Sequence, residues 1–293
     1  FHMSRFYKSS RFFLIIFCLN SYVEANFFSK FFKQTLPGLL APKIDLWSKW
    51  EKNNDQDKKV ISHEKWGIIL KKYMVENHPS GIGRFKYSSV SKEDKALLSS
   101  YIKMMSALKI TQYNSKEQKP YWINLYNALT VMVILDHYPV KSIRDIKIKK
   151  NHATFGPWDA KLLKIEGAEV SLNDIEHRIL RPITKDPLVH YALNCASLGC
   201  PILRDRPFTS KNIEKLLENS ASTFINHKRG VESAKGELKV SSIYIWFKND
   251  FGKNDRDVIE HFKKYANDNL KRDLENNTNG ISSHSYDWRI NAP

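Results

Sequence analysis

The sequence predicts an α+β fold in a single domain, with helices packed on a small, mostly antiparallel sheet. Three observations carry that expectation. The stretch from Ser115 to about Leu135 is apolar on nearly every side, through Trp122, Ile123, Leu125, Leu129, Val131, Val133 and Ile134. A helix apolar all round belongs in the middle of a domain. Beyond Pro139, short strand and turn signals mix with helical ones, and neither repeat nor linker interrupts the chain from about residue 60 to 293.

Each element has a local reason. Residues 26–61 read as a lead-in segment with a helix around Asp45–Glu51. Ser62 can cap a helix running to about Val75, with Trp66, Leu70 and Tyr73 on one stripe. Ser91-Lys-Glu-Asp94 is a capping-box variant, followed by Leu98, Tyr101, Ile102 and Met105 at helical spacing. The long apolar helix starts between Ser115 and Pro120, because proline is tolerated in a first turn. Lys161–Lys164 and Ala168–Val170 flank Glu166-Gly167, a hairpin signal. Ser171-Leu-Asn-Asp174 opens a short helix, Ile175 to Leu180, that Pro182 should stop. Leu188 to Asn194 has strand character, Ser210–Asn226 is helical, Leu238–Trp246 reads as strand and Asp257–Tyr265 as helix.

Composition bounds the function. A hydrophobic fraction of 42% and an aromatic fraction of 12% exclude a disordered or low-complexity scaffold for most of the length. No apolar run approaches the roughly 20 residues of a confident membrane span. The 47 Lys+Arg against 31 Asp+Glu give +16, but the excess is spread along the chain. A nucleic-acid protein concentrates its charge on one face, so nucleic acid is not the expected partner. Weak attraction to an anionic envelope surface, such as lipids or wall polymers, fits better.

The first residues read as a targeting signal. Arg5, Lys8 and Arg11 precede the apolar run Phe12–Leu19, and Val23-Glu24-Ala25 offers small residues where a signal peptidase reads. The expected organisation is a signal peptide over 1–25, the lead-in over 26–61 and one α+β domain over 62–293, in a periplasmic or secreted protein. The competing reading is an uncleaved anchor. Of Cys18, Cys195 and Cys200, cleavage leaves only the last two.

Several residues could carry chemistry. Asn124 and Asn127 are carboxamides in an apolar helix and need partners there. They either brace neighbouring backbone or point into a site. Glu176 and His177 are adjacent, and neighbours on a helix point about 100° apart, so one of them should face a given pocket. They also lack the i, i+3 or i+4 spacing of metal ligands on a helix, and neither a metal nor a cofactor is expected. His190-Tyr-Ala-Leu-Asn-Cys195-Ala-Ser-Leu-Gly-Cys200-Pro201 is the richest stretch. A thiol at a strand end, entering a turn of small residues, finds backbone N–H groups that lower its pKa and hold an oxyanion. Cys195 as a nucleophile, a Cys195–Cys200 disulfide and two buried free thiols remain open alternatives. Period-two alternation over 188–194 sets His190 on the face opposite Cys195. His177 is therefore expected within hydrogen-bond reach of the Cys195 sulfur, with His190 in reserve. Asp250 and Asp287 each sit among aromatics and should meet an Arg, a His or N–H groups. Bracing suits Asp250, and Asp287 is a candidate third member of a triad.

Together these segments resemble the family called domain of unknown function 547. The resemblance rests on Tyr121 to Leu129, Ser171 to His177, His190 to Pro201, Trp246 to Phe251 and Tyr286 to Trp288, in that order, within about 62–291. It implies that Asn124, Glu176, His177, Cys195 and Cys200 are site positions, without giving them roles. A cysteine-hydrolase-like fold is a further expectation. The sequence thus supports an exported thiol-dependent hydrolase or acyltransferase, with Cys195 as nucleophile, His177 or His190 as base, Asn124 or Asp287 to orient it, and a small-molecule or peptide substrate. The contrasting reading is a non-catalytic binding or scaffold protein of the cell envelope with its cysteines in a disulfide. Redox chemistry at the pair is a third reading, weakened by the absence of two-residue spacing.

Overall fold

The structure, a computed structural model, describes residues 41–148 and 156–293. The expected signal peptide over 1–25 and the lead-in up to residue 40 lie outside the described residues. Helix α1 (Glu64–Tyr73) buries the stripe Trp66, Ile69, Leu70 and Tyr73. Helix α2 (Lys92–Ser106) is capped by Ser91, whose hydroxyl accepts the Asp94 N–H at 3.1 Å. Asp94 does not reach back to complete the box; its carboxylate takes Lys72 and the Tyr73 hydroxyl instead. Helix α3 (Ser115–His137) starts at an Asn114 cap and carries Pro120 inside it. It is buried along most of its length, as its all-round apolar character requires. Helix α1 packs on α2, and α2 on α3.

The second half is mixed, and the molecule is a single α+β domain. The hairpin β3 (Leu163–Ile165) and β4 (Ala168–Val170) follows β1 (Met74–Val75) and β2 (Arg84–Phe85) in chain order. Its two-residue turn holds Glu166 at φ 43° and Gly167 at φ 83°. Both centres of such a turn are left-handed. The Glu166 carboxylate accepts from Thr111 N–H and Oγ1, which anchors the turn on the end of α2's loop. After a π-helical segment Asp174–Leu180 come α4 (Arg181–Thr184), α5 (Ile213–Ile225), β5 (Val231–Ala234) and β6 (Glu237–Ser241). Helices α6 (Ile243–Trp246), α7 (Lys248–Phe251), α8 (Asp255–Lys263) and α9 (Asp268–Glu275) lead to β7 (Ser283–Ser285). β5 and β6 are antiparallel, and β6 and β7 parallel.

Several expectations change. The sheet is three separate small sheets of two or three strands. The segment 188–194 is not a strand: Pro187–Tyr191 is a 3₁₀-helix, started by Pro187 and capped by Asp186. Strand β6 ends at Ser241, and the chain turns helical at Ile243 rather than continuing to Trp246. Pro182 does not stop the helix; it lies in the first turn of α4, where a missing N–H costs nothing. The described part of the lead-in is packed on the domain. Trp50 is buried against Trp122, and the backbone N–H groups of Asp45 and Trp47 bond the carbonyls of His177 and Arg178. No described helix is long and apolar enough to cross a membrane.

Candidate functional site

The cysteine loop is built from backbone and carboxamides. Asn127 of α3 donates to Ala192 O at 2.8 Å and accepts the Asn194 N–H at 2.9 Å. Asn194 in turn accepts the Ala196 N–H at 2.9 Å and donates to Pro201 O at 2.8 Å, tying the two ends of the loop together. Ala196 takes a left-handed φ of 60°. The C-terminal segment clasps the loop: Leu198 N–H bonds Arg289 O, Gly199 N–H bonds Asp287 O, and Asn291 N–H bonds Ala196 O. That approach is close enough to need glycine at 199, where a Cβ would lie 2.9 Å from Asp287 N and from the Tyr286 ring.

The clasp brings two thiols together. Cys195 is half-buried, Cys200 is buried, and their sulfurs are 2.7 Å apart. The Tyr286 hydroxyl lies 3.1 Å from the first sulfur, 3.0 Å from the second and 2.8 Å from Ser197 Oγ. The Cys195 N–H also donates to the Cys200 sulfur at 3.0 Å. Burial opposes charge on Cys200, yet hydrogen bonds from Cys195, Ser197, Tyr286 and the Cys195 N–H outweigh it and hold this thiol below its ordinary value. The same hydrogen bond to Cys200, with burial, pushes Cys195 up. The pair therefore gives up its first proton easily and its second reluctantly.

The opposite wall is built from charge. The Arg181 guanidinium forks onto Asp250, with Nε to Oδ2 at 2.6 Å and Nη2 to Oδ1 at 3.2 Å. His190 Nε2 meets the same Oδ2 at 2.7 Å, and its ring stacks on Phe247 with centroids 4.7 Å apart. Burial raises the Asp250 carboxyl, but the hydrogen bonds from His190 and Arg181 win and bring it to about 2. His190 Nδ1 lies 3.9 Å from Glu176 Oε1. Burial, with Glu176 and the two thiols close by, raises the Tyr126 phenol well above its ordinary value. Arg181 Nη1 lies 3.0 Å from His177 Nδ1. A guanidinium only donates, so His177 accepts there and carries its own proton on Nε2. Burial lowers His177 to about 4, which keeps it neutral.

Both walls open on one cavity of 770 Å³, lined among others by Glu176, His177, His190, Cys195, Cys200 and Tyr286. Trp158, Trp246, Phe247 and Trp288 supply its aromatic surface. The expected separation of Glu176 from His177 fails, because the segment is π-helical and its wider turn brings adjacent side chains closer in direction. The expected placement of His190 away from Cys195 fails with the strand that implied it. The expected His177–Cys195 hydrogen bond is not formed; His177 is held by Arg181, and Cys195 by Cys200, Ser197 and Tyr286.

Two other candidates stand apart from the cavity. Asn124 is fully buried and braces the backbone of Phe208 both ways, at 2.7 and 3.0 Å. Asp287 is paired with Arg289, as its place among aromatics asks, and joins no imidazole. Asp250 meets both an arginine and a histidine, as expected. Sequence reasoning missed Arg181, Tyr126 and the tryptophans of the lining. The only signal for Arg181 was the need of Asp250 for a cationic partner. Among the described residues no group of three or more His, Cys, Asp or Glu could hold a metal ion.

Fold and site define a class: a single α+β domain whose long buried helix and π-helical segment carry a thiol-bearing, aromatic-lined cavity. Residues 110–225 match the model of the family described as a protein of unknown function, DUF547, and that segment belongs to this family. It contains the first three of the five motifs; Trp246–Phe251 and Tyr286–Trp288 lie beyond it. Neither of the other comparisons, with curated proteins and with solved structures, returned a match.

Proposed function

We propose that the protein is a thiol-dependent hydrolase or acyltransferase, with Cys195 as its nucleophile, acting outside the cytoplasm on a small-molecule or peptide acyl donor. One observation carries this reading: the Cys195–Cys200 pair and His190, whose ring is held from behind by Asp250, line the same cavity. Cys195 is the more exposed sulfur, and its proton passes across the cavity to His190, at the ring nitrogen that Asp250 leaves open. The Cys195 thiolate forms an S–C bond to the acyl carbon. The leaving group departs with the proton that His190 took from Cys195, while Asp250 orients the ring. Water then gives a proton to His190 and attacks the thioester, the S–C bond breaks with its electrons returning to sulfur, and His190 returns the proton to Cys195; an amine or alcohol in place of water gives acyl transfer. His177 is a donor rather than a base, because Arg181 occupies its Nδ1 and leaves the Nε2 proton to meet a developing oxyanion.

The test uses activated esters and thioesters of varied acyl size with the full chain. Cys195→Ser should lower turnover by at least about 10²-fold with the fold retained, as expected for loss of a nucleophile. His190→Gln should lower it as well, and His177→Gln should act on kcat. Unchanged turnover in Cys195→Ser would overturn the reading.

A further inference from the structure

The acyl-transfer chemistry needs one sulfur on the acyl carbon, yet the loop delivers two with equal care. Cys195 and Cys200 are five positions apart, and the residues between them are pinned. Cys200 N–H bonds Ser197 O, Leu198 and Gly199 are tied to the C-terminal segment, and Asn194 closes the loop at both ends. The sulfurs at 2.7 Å are a small closing movement from the roughly 2.05 Å of an S–S bond. The donors around them, Ser197 Oγ, Tyr286 Oη and Cys195 N–H, favour thiolate, which is the attacking species in disulfide exchange. Access is unequal. Both sulfurs belong to the cavity lining, but Cys195 is half-buried and Cys200 is buried. A more accessible thiol with a buried neighbour is the arrangement of an attacking and a resolving cysteine.

We propose that Cys195 and Cys200 form a reversible dithiol–disulfide centre that exchanges with small disulfides of the glutathione or cystine class. The Cys195 sulfur attacks one sulfur of the small disulfide as its S–H bond breaks; a mixed disulfide forms, and the other half leaves as thiolate and takes up that proton. The Cys200 thiolate then attacks the Cys195 sulfur, the mixed disulfide breaks, and the second half leaves as thiol. The protein loses two protons and two electrons, and the small disulfide becomes two thiols. Excess thiol reverses both steps. The redox step stands by itself; that oxidation also silences acyl transfer rests on the proposed function.

The experiment equilibrates the reduced full chain with glutathione and glutathione disulfide at stepped ratios, quenches with acid, alkylates, and maps the cysteine peptides by mass, scoring Cys18 separately. Labels on Cys195 and Cys200 should disappear together, with loss of two hydrogens, and return fully with dithiothreitol. In Cys200→Ser, checked for folding by circular dichroism, Cys195 should stop as a stable glutathione adduct. Full alkylation of both cysteines at the most oxidising ratio would overturn the proposal, as would a wild-type protein that stops at the mixed disulfide. Should Cys200→Ser not fold, the wild-type titration decides by itself. Normal oxidation together with full turnover in Cys195→Ser would instead count against the acyl-transfer reading alone.

Discussion

On one side of the cavity the Asn194–Pro201 loop is held by backbone hydrogen bonds and by two uncharged carboxamides, Asn127 and Asn194. On the other, His177 and His190 are held by the buried Arg181–Asp250 pair. Neutral hydrogen bonds contribute about 1 kcal/mol each and change little with pH or salt. A buried charge pair is costly to assemble and costlier to break, because the survivor is left charged and dry. The difference teaches that the thiol wall is held by chain geometry, whereas the imidazole wall is held by charge.

Acid should have the largest effect, through three buried histidines of which His177 belongs to the imidazole wall. His63, His177 and His261 are each lowered to about 4 by burial. An unfolded histidine titrates near 6.5, so between about 6.5 and 4 the unfolded chain binds protons that the fold refuses. Stability is therefore intact above about pH 6.5 and falls as pH drops to 4, by up to about 3 kcal/mol per histidine. Urea midpoints at stepped pH should show this fall. A flat profile between pH 7 and 4.5 would remove it.

Asp250→Ala leaves the buried Arg181 without its carboxylate and should cost about 3–5 kcal/mol in urea unfolding. The spacing of the sulfurs should survive it, so alkylation rates of Cys195 in the folded variant should stay near wild type. Asn194→Ala reverses that pattern. It unpairs the Ala196 N–H and the Pro201 carbonyl, with a loss of about 1–3 kcal/mol for each group left buried without a partner. Alkylation of the cysteines should lose its low-pH component, because the sulfurs drift apart. Tyr286→Phe is the mildest change. It removes one hydroxyl from both sulfurs, costs about 1 kcal/mol in stability, and should move the thiol pH profile upward.

The residues show why some of this was legible and some was not. The Ser115–His137 helix is plain from its apolar run, and the hairpin turn from Glu166-Gly167, because both are local. The need of Asp250 for a cation was legible as chemistry, but not which arginine would meet it across 69 positions. Two local rules failed at the site itself. Glu176 and His177 were given α-helical directions, and the π-helical turn overrides them. Leu188–Asn194 was given a strand's alternation on composition, although Asp186-Pro187 starts a 3₁₀-helix there. Tyr286 was read for Asp287 beside it, since nothing in the sequence says that this phenol meets two sulfurs.

The clasp on the cysteine loop also orders events in time. Tyr286 is separated from Cys195 by 91 positions, and Arg289 and Asn291 follow it. A chain that emerges N-terminus first therefore presents its cysteines well before the residues that set them. At about 5–20 residues per second of synthesis, the interval is roughly 5 to 20 s. For that time the two thiols are ordinary ones, with neither the Tyr286 hydroxyl nor the pinned loop around them, and their shared environment exists only once the fold is closed.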